Sequence, residues 1–369
     1  MSKVTTLFLC GDVMTGRGID QVLPHPGDGS LHERHMRSAD GYVELAEMIN
    51  GPIHRPVAFE YVWGDALDEL RRVAPDARII NLETAVTASS AWLPKGINYR
   101  MSPANVPVIT TADIDCCLLG NNHVLDWGEE GLAETLDSLT AAGLATAGAG
   151  RTRIEAEAPA VLEAGETGRV IVFSAGTASS GIPTDWAAGE ERPGVSFLSD
   201  LSERSIEGIG EAVTGMKRPG DVVVFSVHWG GNWGYEIPWE HRNFAHGLID
   251  EAGVDVVHGH SSHHVKGIEV YRGKLVLDGC GDFLNDYEGI TGYERYRDDL
   301  ALMYFPSLDA STGRLAQLEM VPLQIKRFRL HHATTEDARW LADVLNREGG
   351  PLGTSVDQGE DGRLLLAWG

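Results

Sequence analysis

The run Val257-His258-Gly259-His260-Ser261-Ser262-His263-His264 places four imidazoles within seven positions. Histidine is the commonest transition-metal ligand among side chains. The small residues Gly259, Ser261 and Ser262 let the backbone bend so that such ligands converge. An apolar stretch, Val254-Asp255-Val256-Val257, precedes the run and reads as a strand, a rigid support. Three other apolar runs end in metal-type residues: Leu7-Phe8-Leu9-Cys10-Gly11-Asp12, Ile79-Ile80-Asn81-Leu82-Glu83 and Leu118-Leu119-Gly120-Asn121-Asn122-His123. A fifth, Val222-Val223-Val224-Phe225-Ser226-Val227, leads into His228-Trp229-Gly230.

In open α/β sheets, ligands bind beyond the carboxyl ends of the strands. If these strands share a sheet, Asp12, Glu83, Asn122, His228, His260 and His263 point into one crevice. Two carboxylates, an amide oxygen and several imidazoles suit a pair of borderline cations: manganese, iron or zinc. Two such ions roughly 3.5–4 Å apart activate a bridging water and clamp the attacking and leaving oxygens. Glu83 has the reach to bridge them, and His123, beside Asn122, is suited to protonating a leaving group. Arg17 either grips an anionic substrate group through its planar fork or pairs with a carboxylate. Asp126 either orients His123 or caps the helix that starts nearby.

Taken singly, each motif has a plain structural reading as a cap, a turn or a packed ring. Their order at successive strand ends is what favours a metal centre. His258 reads as a supporting or core histidine, His264 as a flank of the site, and His331-His332 as surface. Trp229, Trp233, Tyr235 and Trp239 either wall a pocket or pack into the core. A single structural zinc is the weaker metal reading, because paired cysteines in short spacings are absent.

The elements that must position these residues alternate. Helical periodicity marks 64–73, 129–142, 201–216, 240–252 and 336–345. Arg169-Val170-Ile171-Val172-Phe173-Ser174 reads as a buried strand, and 267–277 as a hairpin turning at Arg272-Gly273. Residues 300–305 and 315–321 read as further antiparallel strands. The Gly-, Ser- and Pro-rich stretch 176–194 reads as a long surface loop with the makings of a lid. Cys10, Cys116, Cys117 and Cys280 read as buried small hydrophobes, with Cys116 and Cys117 on opposite faces of a strand. The pattern is that of a layered α/β sandwich with a mixed sheet.

The chain has 369 residues, 43% of them hydrophobic, enough for a large core. Its formal net charge of -24 disfavours nucleic acid and anionic membranes as partners. An anionic substrate would need a locally positive site, which divalent cations supply. No apolar run is long enough to span a bilayer, so the sequence reads as a cytoplasmic protein without direct membrane insertion.

Several motifs together resemble a known family. They are Gly11-Asp12-Val13-Met14 with Arg17, Asn81-Leu82-Glu83, Asn121-Asn122-His123 with Asp126 and Gly128, and Ala147-Gly148-Ala149-Gly150. His228-Trp229-Gly230, Gly259-His260-Ser261-Ser262-His263 and Gly281-Asp282-Phe283 continue them. This set looks like the CapA family, named for capsule poly-γ-glutamate biosynthesis and related to the calcineurin-like dinuclear metallophosphoesterases. The resemblance implies a four-layer α/β/β/α sandwich over 1–330, with 331–369 as a helix-and-strand extension packed on it. It implies that Asp12 binds the first metal and His263 completes it, that Glu83 bridges, and that Asn122, His228 and His260 hold the second. His123 would be the acid. Phosphoesterases place a histidine two positions after the first aspartate, whereas Met14 stands there here, so the first metal has fewer evident ligands. Capsule-synthesis relatives usually carry an N-terminal membrane anchor, which this sequence does not show. The resulting expectation is a dinuclear metal-dependent hydrolase acting on a phosphoester or γ-glutamyl-type amide of a small or short-chain anionic substrate. The competing expectation is a non-catalytic, metal-binding accessory of poly-γ-glutamate synthesis.

Overall fold

Alternation of side chains along the strands decides the layering. In the strand Val4–Val13, Leu7 and Leu9 face one core, and Phe8 and Cys10 face another. The strand Val222–His228 sorts in the same way, with Val222 and Val224 toward the first of these cores and Val223, Phe225 and Val227 away from it. The shared core therefore lies between two sheets. The outer faces are covered by helices: Asp40–Asn50, Ala66–Val73 and Gly128–Ala141 on one side, Glu203–Thr214 and Trp239–Asp250 on the other. The computed structural model describes residues 3–165 and 168–369, and its order is α/β/β/α.

The first sheet runs Thr354–Gln358, Leu364–Trp368, Arg314–Lys326, Leu300–Asp309, Val4–Val13, Ala77–Leu82, Cys116–Leu118, Ala145–Ala147. The short strand Asp282–Leu284 pairs in parallel with the end of Val4–Val13. The second sheet runs Phe197–Leu198, Arg169–Thr177, Val222–His228, Val256–His260, Lys274–Leu277, Ile268–Tyr271. Both are mixed: parallel pairs lie at the site, and antiparallel pairs flank them. The chemistry-bearing strand ends are therefore divided between two facing sheets rather than gathered on one. Asp12, Glu83 and Asn122 come from the first sheet's side, and His228 and His260 from the second's.

Two close backbone approaches need glycine. A Cβ on Gly11 would lie 1.6 Å from the Gly281 carbonyl oxygen, and one on Gly259 would lie 2.1 Å from that of Asp278. All four cysteines are buried and free, and Cys116 and Cys117 do face opposite cores. Position 331 falls inside the strand Arg329–His332, and Leu364–Trp368 pairs with Arg314–Lys326, so the strands of 331–369 extend the first sheet, with the helix Thr335–Gly349 between them. The stretch 176–194 is not a free loop. It carries two short helical turns, Ala178–Ser180 and Thr184–Trp186, buries Trp186, and ends in a strand paired with Ala149–Gly150. Among the described residues no helix is long and apolar enough to cross a membrane.

Candidate metal centre

Where the two sheets' strand ends meet, two groups of donors converge. Asp12, His228 and His260 offer ligand atoms within 4.8 Å of one another, and so do Asp12, His263 and Asp282. Asp12 belongs to both. All five side chains are buried or nearly so. Asp282 reaches Asp12 because the two are register partners on adjacent parallel strands. His228 and His260 are likewise register partners on the second sheet.

The geometry between ligands is tight. His228 Nδ1 lies 2.7 Å from His260 Nδ1, and His228 Nε2 lies 3.0 Å from Asn122 Oδ1. His263 Nδ1 lies 2.8 Å from Asp282 Oδ1. Asn81 donates to Asp12 Oδ1 at 2.6 Å. The Ser261 backbone N–H donates to Asp12 Oδ2 at 3.2 Å, from a left-handed conformation with φ 99°. That sparsely populated conformation turns the chain between His260 and His263. Glu83 Oε1 stands 3.6 Å from His228 Nε2 and 3.9 Å from His123 Nε2, on the cleft side of the histidines.

The electrostatics ask for positive charge. Burial, and then the neighbouring Asp282 carboxylate, push Asp12 up to about 7. Burial and the charges of Asp12 and Asp282 hold Glu83 well above the usual carboxylate range. Burial disfavours the charged forms of His228 and His260, so each ring is neutral and carries one lone pair of the kind a cation takes. For His263 burial acts downward, but the Asp282 carboxylate outweighs it and raises the imidazole. Crowded carboxylates beside neutral imidazoles form a donor set that fits borderline divalent cations.

His123 lies beside this centre and is clamped. Its Nδ1 is 2.7 Å from Asp126 Oδ2, and its ring stacks on Tyr99 at 3.8 Å between centroids. Lys95 Nζ sits 2.7 Å from Asp126 Oδ1 and also donates to the Asn122 carbonyl. Burial and the Lys95 charge bring His123 down to about 4, so the imidazole is neutral. With Nδ1–H donating to Asp126, the lone pair is on Nε2, toward Glu83. Asp126 therefore orients His123 and does not cap the helix Gly128–Ala141, whose first turn has no side-chain cap.

Arg17 is fully committed. Its guanidinium is buried against Asp286 and pairs with Glu33 at 2.9 Å. Its edge reaches the cleft wall, but its charge is already paired. His258 is a core residue whose Nε2 meets the Cys10 carbonyl at 2.8 Å, tying the two sheets together. Trp229 is buried and stacked on His241, Trp239 is exposed, and Trp233 lines the cleft. His264 packs against Tyr296 and Tyr235 behind the site.

Sequence reasoning assigned no role to Asp282. Its signal was present in Gly281-Asp282, which repeats Gly11-Asp12, but the strand it opens has only three residues. Met14 offers no hard donor two positions after Asp12, and Asp282 places a carboxylate beside Asp12 from across the sheet. The cleft itself, about 460 Å³, is lined by Glu83, Asn122, His123, His263, Lys95 and a set of aromatic rings.

Comparison with known proteins places the chain in a family. The model of the bacterial capsule synthesis protein family PGA_cap matches residues 6–287. A probable polyglutamine synthesis accessory protein of Mycobacterium tuberculosis is 47% identical over 346 residues, covering 93% of this chain and 91% of the relative. The PGA biosynthesis protein CapA of Bacillus subtilis is 29% identical, covering 90% of this chain and 73% of the relative. A solved structure described as a novel phosphatase from Mycoplasma pneumoniae aligns with TM-score 0.47 and 12% identity, over 88% of this chain and 95% of that one. That likeness is too loose to bear on function. The match over residues 6–287 and the 47% identity settle membership: the chain belongs to the bacterial capsule synthesis protein family, PGA_cap.

Proposed function

We propose that this chain is a metal-dependent hydrolase that cleaves an amide or phosphoester bond in a small or short-chain anionic substrate. The observation that carries the reading is the pair of buried donor triads sharing Asp12, which meet through His263 a cleft also lined by Glu83, Asn122 and the clamped His123. Asp12, His228 and His260, with Asn122 near, would hold one cation. Asp12, His263 and Asp282 would hold another, with Glu83 on the cleft side of both. Manganese, iron or zinc fits this donor chemistry. When bound, such ions supply Lewis acidity and make water nucleophilic near neutral pH. The chain's own residues do the rest. His123 Nε2 faces the cleft and takes or returns a proton, and the Asp126 carboxylate stabilises the imidazolium that forms. Lys95 fixes Asp126 and adds the positive charge that an anionic substrate meets at the wall. The names of the relatives, which concern glutamine and glutamate polymers, favour a glutamyl-type amide over a phosphoester.

The relative's description as an accessory protein keeps a second reading in view: a metal-binding, non-catalytic partner of polymer synthesis. The two separate in one experiment. The protein is purified, its manganese, iron and zinc are measured, and turnover is followed with γ-glutamyl oligomers and with aryl phosphoesters. Hydrolysis that disappears in Asp12→Asn supports the enzyme. Stoichiometric metal with no hydrolysis of either class rejects it in favour of the accessory.

A further inference from the structure

Tyr99 and Tyr287 both line the cleft, and neither has a role in the reading so far. Tyr99 stacks on His123, while Tyr287 meets the ring of His263 edge-on at 5.4 Å. They thus link the proton-transfer side of the cleft to the metal side. Their hydroxyl oxygens are 2.6 Å apart. Two hydroxyls carry two protons, and their mutual hydrogen bond uses one. Among the described residues neither oxygen has another hydrogen-bond partner, so the second O–H is left to a ligand. Burial raises both phenols far above neutral pH, so both protons are present.

The pair is also rigidly built. Arg17 lies against Tyr42 at 3.9 Å, Tyr99 at 4.8 Å and Tyr287 at 5.7 Å from the ring centroids. Asp286 holds that guanidinium in place and also accepts from the Gly18 backbone N–H at 2.9 Å. The Tyr99 backbone N–H donates to Asp126 Oδ2 at 2.6 Å, so the same carboxylate sets both the His123 ring and the tyrosine beside it. Arg17 is thus a positioning residue for the rings rather than a substrate contact.

We infer that the Tyr99–Tyr287 hydroxyl pair is an oxygen-binding subsite. It donates one hydrogen bond to an oxyanion or polarised oxygen at the reacting centre, opposite the donor triads. The inference rests on the hydrolase reading for its consequence in catalysis but not for the binding itself. Because either hydroxyl can supply the free proton, losing one leaves the other able to serve. The signature is therefore non-additive.

The test uses the full, metal-loaded chain with Y99F, Y287F and Y99F/Y287F, and inorganic phosphate as the probe. Binding is read by calorimetry, alongside metal content and the thermal midpoint. Each single variant is expected to bind within about threefold of wild type, and the double variant about 10- to 100-fold more weakly with its metal retained. The inference is overturned if the double variant binds phosphate like wild type, if wild type binds none, or if the double variant loses its metal along with the anion. Turnover is scored separately. Hydroxyl-dependent phosphate binding without hydrolysis of any ester or amide keeps the subsite and removes the hydrolase reading. Hydrolysis at wild-type kcat/KM in Y99F/Y287F keeps the enzyme and removes the subsite.

Discussion

Asp12 and Asp282 stand side by side at the ends of two parallel strands, joined through the Asp12 N–H and the Gly281 carbonyl at 3.0 Å. Two buried carboxylates so placed repel one another, and that repulsion is part of what holds Asp12 at about 7. A cation between them would relieve that repulsion.

Asp282 is expected to matter for metal and not for folding. Asp282→Asn keeps the shape and the hydrogen bond from Asn285, but removes one charge from the triad with Asp12 and His263. The expected outcome is loss of about one metal equivalent, with a thermal midpoint in the metal-free form equal to or above that of wild type. Elemental analysis with a melting curve checks it. An unchanged metal content would remove Asp282 from the ligand set.

The strand spacing around Asp12 can be tested without touching a ligand. A methyl group on Gly11 would overlap the Gly281 carbonyl, so Gly11→Ala must push the strand Asp282–Leu284 away. The expected cost is several kcal/mol, about 3 or more given a backbone clash that no rotamer relieves. Soluble yield and chemical denaturation report it. A variant as stable as wild type would show that the two strands are not packed as described.

The proton-transfer assignment predicts a separation of effects. Asp126→Asn leaves the metal donors intact but weakens the hold on His123, Lys95 and the Tyr99 backbone. The expected result is a drop in kcat of about 10²-fold with unchanged metal content. Equal loss of metal and activity would instead place Asp126 among the supports of the ligand set.

Much of the candidate site was legible because its donor residues follow five apolar runs rich in Leu, Ile and Val. The helices at 129–142 and 240–252 were legible for the same reason, with boundaries within two residues of Gly128–Ala141 and Trp239–Asp250. What escaped was long-range. Nothing local shows that Arg17 meets Asp286, 269 positions away, so its choice between substrate and carboxylate stayed open. Asp282 escaped because Asp278-Gly279-Cys280-Gly281, and not an apolar run, leads into it. The division of the ligands between two sheets is a property of sheet order, which alternating hydrophobicity does not encode.

The raised carboxyls set the sign of the pH dependence of metal binding. Asp12 ionises near 3.8 when unfolded and near 7 in the metal-free fold, because burial and then Asp282 disfavour its charge. A folded value above the unfolded one means that the metal-free fold retains a proton the unfolded chain has released. Its stability is therefore greatest below about pH 4 as far as this group is concerned, and declines as pH rises toward about 7. A cation reverses the trend, because it needs the ionised carboxylate and displaces that proton. Metal affinity should accordingly rise with pH across about 4 to 7, by up to about tenfold per unit for each proton displaced, and level off above. The stabilisation conferred by metal should grow over the same interval. Melting curves with and without manganese or zinc, taken at steps between pH 4.5 and 8, would measure both. A metal-induced shift that is flat across that interval would mean that Asp12 binds no cation in place of a proton. The shared vertex of the two triads would then have to be abandoned.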